Sequence, residues 1–598
     1  MAMIDEITLD IIESSLIAAA EESFVAFGRT SKSPVIYEVL DYAAGLTDAR
    51  GRLVAQANGV PGFLGTLDLA TQDCIKKFGE DGFVPGDICI TNVPYTSGTH
   101  LNDVTLVMPV FVNRRLVGFS TIKGHWSELG GMHFGSWTSD STEIYQEGMI
   151  FPPIKLFEAG KVVGAMVEMI RANVRTPVMT LGDMEAHAAA LRVAARRIEE
   201  LCNKFGVGLV LDAITRIMTK GEKLTRLKLK ELPHGTFEAS DTVDDDGITD
   251  TPVPVKATVK ITDDEFVIDL RGSGKQAKGS INSPWCATIS SARTILKAVT
   301  DPHGPASDGS FRPLKVLTTP GTIFDPVPPA PTSTYWESMA FVTDLVWKAL
   351  APRIPDRLSA GHFLSVCATI VGGVDDRTKE PFAIVEPQAG GWGGASGKDG
   401  ESGLVCSGDG ETYIMSNEVI EVRHPILVEQ YSLNTEDGCG KGEFRGGFGL
   451  IKDYRINNSN ATFTASFGRS LFPCWGMNGG SRGTPNYFIV QRERKEPLKV
   501  RKIAAAPLGK WDLIRLKTGG GGGYGDPLKR ESSRVLSDVI NGYITADRAK
   551  EDYGVVIDSN NEVDQKATGY LRGTLQAHQA RVKPELLIRL ASEERPDD

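Results

Sequence analysis

The 598-residue chain has no CxxC pair, no run of 18 apolar residues free of charge, and no basic leader followed by an apolar stretch. Each absence excludes something. The eight cysteines (74, 89, 202, 286, 367, 406, 439 and 474) are scattered singly. That fits a reducing cytosol, not a disulfide scaffold or a cysteine-rich zinc module. With no long apolar run, no membrane span is expected. With no leader, no signal peptide is expected. These readings point to a soluble, cytoplasmic protein.

Positive charge is also in short supply. Lys and Arg number 65 against 76 Asp and Glu, a net charge of −11. The one modest cluster, Lys220 to Lys230, alternates with apolar residues like the solvated face of a helix end. Nucleic-acid binding needs concentrated basic charge, so it is not expected.

Nucleotide motifs are missing too. A phosphate loop needs G-x-x-x-x-G-K-[ST]. Counting back from Lys398 puts Trp392 at the first glycine, and Asp399 follows the lysine. Gly272-Ser273-Gly274 lacks the third glycine and the following helix of a dinucleotide fingerprint. No nucleophile elbow is expected. Cys286 and Cys439 have no neighbour in sequence that would lower a thiol pKa, so they read as buried structural cysteines. If the chemistry needs ATP, another polypeptide binds it.

What is present is a globular composition, 41% apolar and 24% charged. The length allows two to four domains. Ile12, Leu16, Ala20 and Phe24 recur every four residues, which predicts an amphipathic helix over 8–28. Its polar face carries Glu13, Glu21 and Glu22, so it should pack on protein and not on a membrane surface. Strands are expected at Leu46–Asp48 and Leu53–Ala55 around a glycine turn, at Ile88–Thr91, and at Val104–Phe111 and Leu116–Ile122 around Asn113-Arg114-Arg115. Residues 180–230 read as helical, with Asp183 as a cap. Strands return at Val255–Ile261 and Glu265–Leu270, and a helix at Met339–Ala349. Glycine is dense over 380–525; the run Gly519–Gly523 reads as a structural turn. Residues 530–580 read as helical with a short strand at Val555–Ile557, and about the last ten as a frayed polar end.

The expected fold is α+β: a mixed, strand-rich, multi-domain chain with a small helical C-terminal tail. Its expected parts are an N-terminal metal-binding region 1–230, a β-rich and Gly-rich region 231–530, and a helical tail 531–598.

Three of nine histidines, His100, His125 and His133, fall in the strand-rich N-terminal part. The segment His100-Leu101-Asn102-Asp103 gives His-x-x-Asp, and the return strand ends at Gly124-His125. If the strands between them form a hairpin, its open ends meet and place two imidazoles beside a carboxylate. That donor set suits zinc, manganese or iron(II). A His-x-x-Asp alone also fits a hydrogen-bonded surface pair, and spacing does not supply a fourth ligand.

The stretch Gly86-Asp87-Ile88-Cys89-Ile90-Thr91-Asn92 through Gly98-Thr99-His100-Leu101-Asn102-Asp103-Val104-Thr105 resembles the hydantoinase B / 5-oxoprolinase family. Further matches follow in order: Gly130-Gly131-Met132, Thr142 to Gly148, Gly279 to Pro284, Asp308 to Pro313, Gly446 to Gly449, and Tyr524-Gly525-Asp526-Pro527. The resemblance spans essentially residues 5–560. It implies one divalent metal, zinc by preference, held by His100, Asp103, His125 and an upstream aspartate matching Asp41. It also implies a hydantoinase A-type ATPase partner carrying ATP and magnesium, in a heterotetramer of two of each chain. The expected activity is ATP-dependent opening of a cyclic amide such as a hydantoin, a lactam or 5-oxoproline. The related ketone carboxylases are the alternative, but their B-type chains tend to be longer and to have an extra small companion chain. A scaffold with a structural metal is the third reading. Glu128 and Glu143 are the candidates for moving the proton. Val93-Pro94 stands where amide-hydrolysing members often have Asp-Pro, and the segment Ser33 to Asp41 also departs, so the substrate pocket should differ.

Overall fold

A computed structural model describes residues 5–577. The expected frayed C-terminal end lies outside the described residues. The architecture is α+β, with helices and four sheets.

The first sheet carries the region of interest. Its strands are β1 (Tyr42–Asp48), β2 (Leu53–Gln56), β3 (Ile88–Thr91), β4 (Asp103–Val112), β5 (Arg115–His125), β6 (Ile154–Glu158) and β7 (Lys161–Val162). They run β2-β1-β5-β4-β3-β6-β7, each neighbour antiparallel. The β4–β5 turn has Asn113 at φ 50° and Arg114 at φ 64°. Two positive φ values in a two-residue loop match the twist of the flanking strands.

β1 and most of β5 are buried on both faces. The helix Glu6–Thr30 is capped by Asp5, which accepts the Thr8 amide at 2.9 Å. It buries Leu9, Ile12, Leu16 and Phe27, and Ser23 donates to Ala190 O at 2.8 Å on the helix Pro177–Phe205. It therefore packs on protein, as its acidic polar face predicts. A Cβ on Gly124 would stand 2.7 Å from the Phe27 ring, so Gly124 faces the first helix. Side chains alternate along a strand, so His125 faces the other way. There the helix Leu67–Phe78 covers part of the sheet, with Thr71 and Thr121 hydroxyls 2.7 Å apart.

Two local expectations need correction. Asp183 is not a helix cap: the helix starts at Pro177, whose fixed φ suits a first turn. Asp183 instead accepts the Lys32 and Ser33 amides at 2.6 and 3.1 Å, tethering the chain that leads to Asp41. Val555–Ile557 forms no strand, only an isolated bridge from Ile557 to Val563.

The second sheet takes Gly235–Val243, Val253–Ile261, Phe266–Asp269 and Leu314–Leu317. Two antiparallel sheets follow, one of four strands and one of five, between Ala368 and Lys517. The glycine run Gly519–Gly523 is buried. Its backbone exchanges hydrogen bonds with Gly361, Gly391, Gly440, Gly447 and Ser481. A Cβ at Gly521 would lie 2.1 Å from Trp392 O. Close backbone approach is why glycine stands there, and the run is no linker. Among the described residues no helix is long and apolar enough to cross a membrane.

Candidate metal centre

The hairpin brings the residues together as its spacing predicts. Asp103 at the start of β4 and His125 at the end of β5 are direct cross-strand partners. β1 flanks β5 with Tyr42 opposite Gly124. The preceding Asp41 therefore sits beside His125, whose amide donates to Asp41 O at 3.1 Å. Leu40, at φ 60°, turns the chain into that position.

His100 comes from the loop between β3 and β4, which side-chain amides pin. Asn92 Nδ2 donates to Leu101 O and Met149 O at 2.8 and 2.9 Å. Asn102 Nδ2 donates to Trp126 O and Gly135 O at 2.8 and 2.9 Å. Gly98 lets the loop fold back, because a Cβ there would stand 2.4 Å from Asn92 O. These residues of the recognised stretch build the loop that presents His100.

One donor atom from each of His100, Asp103 and His125 lies within 4.8 Å of the others, and all three residues are buried. His100 Nε2 is 3.1 Å from Asp103 Oδ1. Asp41 stands outside that cluster but lines the same cavity as His100 and His125. Asp103 Oδ2 is occupied by the hydroxyls of Thr99 and, at 3.3 Å, Tyr335. His125 Nδ1 is buried without a hydrogen-bond partner, and the polar contact of Asp103 Oδ1 is His100 Nε2.

The electrostatics suit a cation. Burial pushes Asp41 well above the usual carboxylate range, helped by the charges of Asp409 and Asp103. Burial also pushes Asp409 up to about 7, with Asp103 adding to it against a hydrogen bond from Thr412. Burial would raise Asp103 as well, but the adjacent His100 and the Lys123 ammonium hold it below its ordinary value. Burial and His100 push His125 down to about 3, so its imidazole is neutral, as a ligand must be. The buried Asp103 and Asp409, the half-buried Asp41 and the orphaned His125 Nδ1 are costly alone. Together they fit a divalent ion.

The rest of the cavity comes from distant sequence. Tyr335, Trp336 and Met339 descend from the helix Trp336–Leu350 and the turn before it, and Phe63, Trp137, Val366 and Val385 add apolar wall. Asp409 and Glu386 are the other carboxylates on it. Sequence reading missed both, because they lie some 260–310 residues from the hairpin and only tertiary folding joins them. Glu147 helps to hold the segment that leads into the helix Trp336–Leu350: it accepts from Ser141 Oγ and from the Thr332 and Ser333 amides.

The structure does not bring Glu128 or Glu143 to the cavity. Glu128 is taken by Arg175, Ser136 and the Gly130 and Gly135 amides. Glu143 is exposed and caps a short turn. Cys286 is buried, its thiol donating to Gly98 O and pushed up to about 11 by burial. It is no nucleophile. Gly479-Gly480-Ser481-Arg482-Gly483 does carry nucleophile-elbow spacing, but it runs through irregular backbone with no helix after it, and Ser481 Oγ is spent on Arg482 O and the Lys441 amide.

Fold and site thus define an α+β protein with a buried His/carboxylate cluster suited to a divalent cation. The chain belongs to the hydantoinase B/oxoprolinase family, whose model matches residues 5–527. It is 31% identical to the B-type chain of the putative D-/L-hydantoinase of Pseudomonas sp. (strain NS671), over 95% of this chain and 98% of that one. It is 30% identical to the beta chain of the caprolactamase of Pseudomonas jessenii, over 95% and 99%. The solved ATP-dependent caprolactamase from Pseudomonas jessenii superposes with a TM-score of 0.88 at 28% identity, covering 96% of this chain and all of that one. A nucleotide-free acetone carboxylase has the same fold, with a TM-score of 0.90 at 19% identity over 96% and 84%.

Proposed function

We propose that this chain is the metal-carrying part of a two-component, ATP-dependent hydrolase that opens a cyclic amide of hydantoin, lactam or 5-oxoproline type. The partner, a hydantoinase A-type ATPase, phosphorylates the substrate carbonyl oxygen; this chain completes the hydrolysis. The observation that carries the reading is the convergence of His100, Asp103 and His125 at the open end of the hairpin, with Asp41 on the same cavity. The names of the relatives, the B-type component of a hydantoinase and the beta component of a caprolactamase, support it.

His100, Asp103, His125 and Asp41 would hold a divalent ion, zinc by preference, which would supply Lewis acidity and lower the pKa of water. Two carboxylates balance its charge. Thr99 and Tyr335 hold Asp103 by Oδ2, so that Oδ1, beside His100 Nε2, would be turned to the cation. Water adds to the activated carbonyl carbon and the C–N bond breaks. Asp409, on the same cavity and held by Thr412 at 3.1 Å, carries the water proton to the leaving ring nitrogen. A second water cleaves the resulting acyl phosphate to carboxylate and inorganic phosphate. Phe63, Trp137, Trp336 and Met339 pack the ring and exclude bulk water. The ligands fall in the proposed N-terminal region 1–230; the proposed region 231–530 supplies the cover. All eight cysteines are free, in keeping with a cytoplasmic assembly, which we take as two copies of each component.

Product analysis tests this. The chain, co-purified with its ATPase partner, is given ATP with lactams, hydantoins and 5-oxoproline, and separately ketones with labelled bicarbonate. Ring-opened amino acids with ADP are expected. Label fixed into a β-keto acid, with no ring opening, would overturn the reading in favour of a carboxylase.

A further inference from the structure

A buried ion pair reaches the metal cavity without belonging to the metal cluster. Glu386, the last residue of the strand Pro381–Glu386, lines the cavity. Lys452, in the strand Leu450–Ile456, places Nζ 2.9 Å from Glu386 Oε1. Both residues are buried. The ammonium also lies 5.1 and 5.2 Å from the ring centroids of Tyr431 and Tyr454. A buried ion pair is in general no more stabilising than well-packed apolar residues of the same volume. Stability is therefore a poor reason to keep one at a cavity wall.

The hydrogen bonds of Glu386 suggest a better one. An ionised carboxylate offers about four acceptor positions. Lys452 Nζ and Gln388 Nε2, at 2.9 and 3.1 Å, fill Oε1. The Met415 amide, at 3.2 Å, takes one position on Oε2. One acceptor position on Oε2 remains. Trp336, on the same cavity, has a buried indole N–H without a hydrogen-bond partner. Much of the remaining wall is ring and aliphatic surface. An unused acceptor and an unused donor on one cavity match in kind the N–H and the carbonyl oxygen of an amide edge. Asp409, given to proton transfer and held by Thr412, does not take this recognition role. Its charge acts on Asp41 and on the Tyr335 hydroxyl, on the metal side, whereas Glu386 is tied to Lys452.

We propose that Glu386 reads the ring N–H of the intact cyclic amide through Oε2, before its carbonyl oxygen is phosphorylated, so that the site selects cyclic amides with a free N–H over N-alkylated rings. Lys452 and Gln388 position the carboxylate. This rests on the amide-hydrolase reading and adds the group that recognises the nitrogen side of the bond.

The test uses the two-component holoenzyme and two probes, δ-valerolactam and its N-methyl derivative. Binding of each is measured by calorimetry and ring opening with ATP by product analysis. Wild type should bind the N–H ring at least about 10-fold more tightly. Glu386→Gln should lower kcat/KM for that ring by about 100-fold, erase the preference and leave bound metal unchanged. If the lone Lys452 charge unfolds that variant, Glu386→Gln with Lys452→Met removes both charges and gives the same readout. Equal binding of the two probes by wild type, or a preference retained in the variant, overturns the proposal. Selective binding without ATP-dependent ring opening would instead contradict the hydrolase reading and leave this inference standing.

Discussion

Asp103 and His125 face each other as a cross-strand pair at the open end of the β4–β5 hairpin. The proposed metal ligand set is placed by sheet register and is sensitive to its members. Asp103→Asn or His125→Ala should strip the bound divalent metal to trace levels, measured by elemental analysis of the purified complex. A full complement of metal in either variant contradicts the ligand assignment.

Tyr335 reaches Asp103 Oδ2 through its hydroxyl at 3.3 Å. Groups that orient a ligand typically contribute 10–100-fold to metal affinity or activity. Tyr335→Phe should weaken metal binding by about 10-fold, read by competition with a chelator, with the melting temperature nearly unchanged. Wild-type affinity would show that the hydroxyl is incidental.

Glu147 anchors the segment that carries Tyr335 and Trp336 over the site. Burial pushes its carboxyl up to about 7 from an ordinary 4.5, against the hydrogen bonds it accepts. The folded state then binds a proton that the unfolded state has released. Its contribution to stability is present below the unfolded value and is lost as pH rises through about 7. Glu147→Gln lacks this titration. The variant should gain stability relative to wild type between pH 5 and about 8, measured as the difference in melting temperature. Parallel curves contradict the buried, raised carboxyl.

Gly521 and Gly164 make a matched pair of alanine substitutions. A Cβ at Gly521 meets Trp392 O at 2.1 Å, while at Gly164 nothing lies within 4 Å. Gly521→Ala should cost about 3 kcal/mol or more, since backbone cannot rotate aside. Gly164→Ala, in the helix Gly164–Asn173, should be neutral or stabilising by about 0.5–1 kcal/mol. Denaturant midpoints measure both. Similar values for the two would mean that the glycine-dense core is looser than its backbone contacts indicate.

Much of this is legible in sequence because it is local. The β4–β5 hairpin follows from its alternation and from Asn113-Arg114, and it alone brings Asp103 to His125. The first helix shows in its four-residue apolar period. Asp41 follows from the family resemblance and not from spacing; its place depends on β1 pairing with β5. What stays hidden is long-range. Asp409 and Glu386 carry no local pattern and join the site only when the cover folds over the first sheet. Glu128 stands close to His125 in sequence, yet Arg175 and neighbouring amides claim its oxygens. Asp183 has the chemistry of a cap because helix starts favour aspartate, but Pro177 begins the helix earlier.

The most direct test of the central claim is turnover by a His100→Ala holoenzyme. Cyclic-amide opening is followed alongside nucleotide binding by the ATPase partner. Loss of ring-opened product with nucleotide binding intact is the predicted result, because His100 belongs to the proposed metal cluster of this chain. Product formation at the wild-type rate would contradict the account.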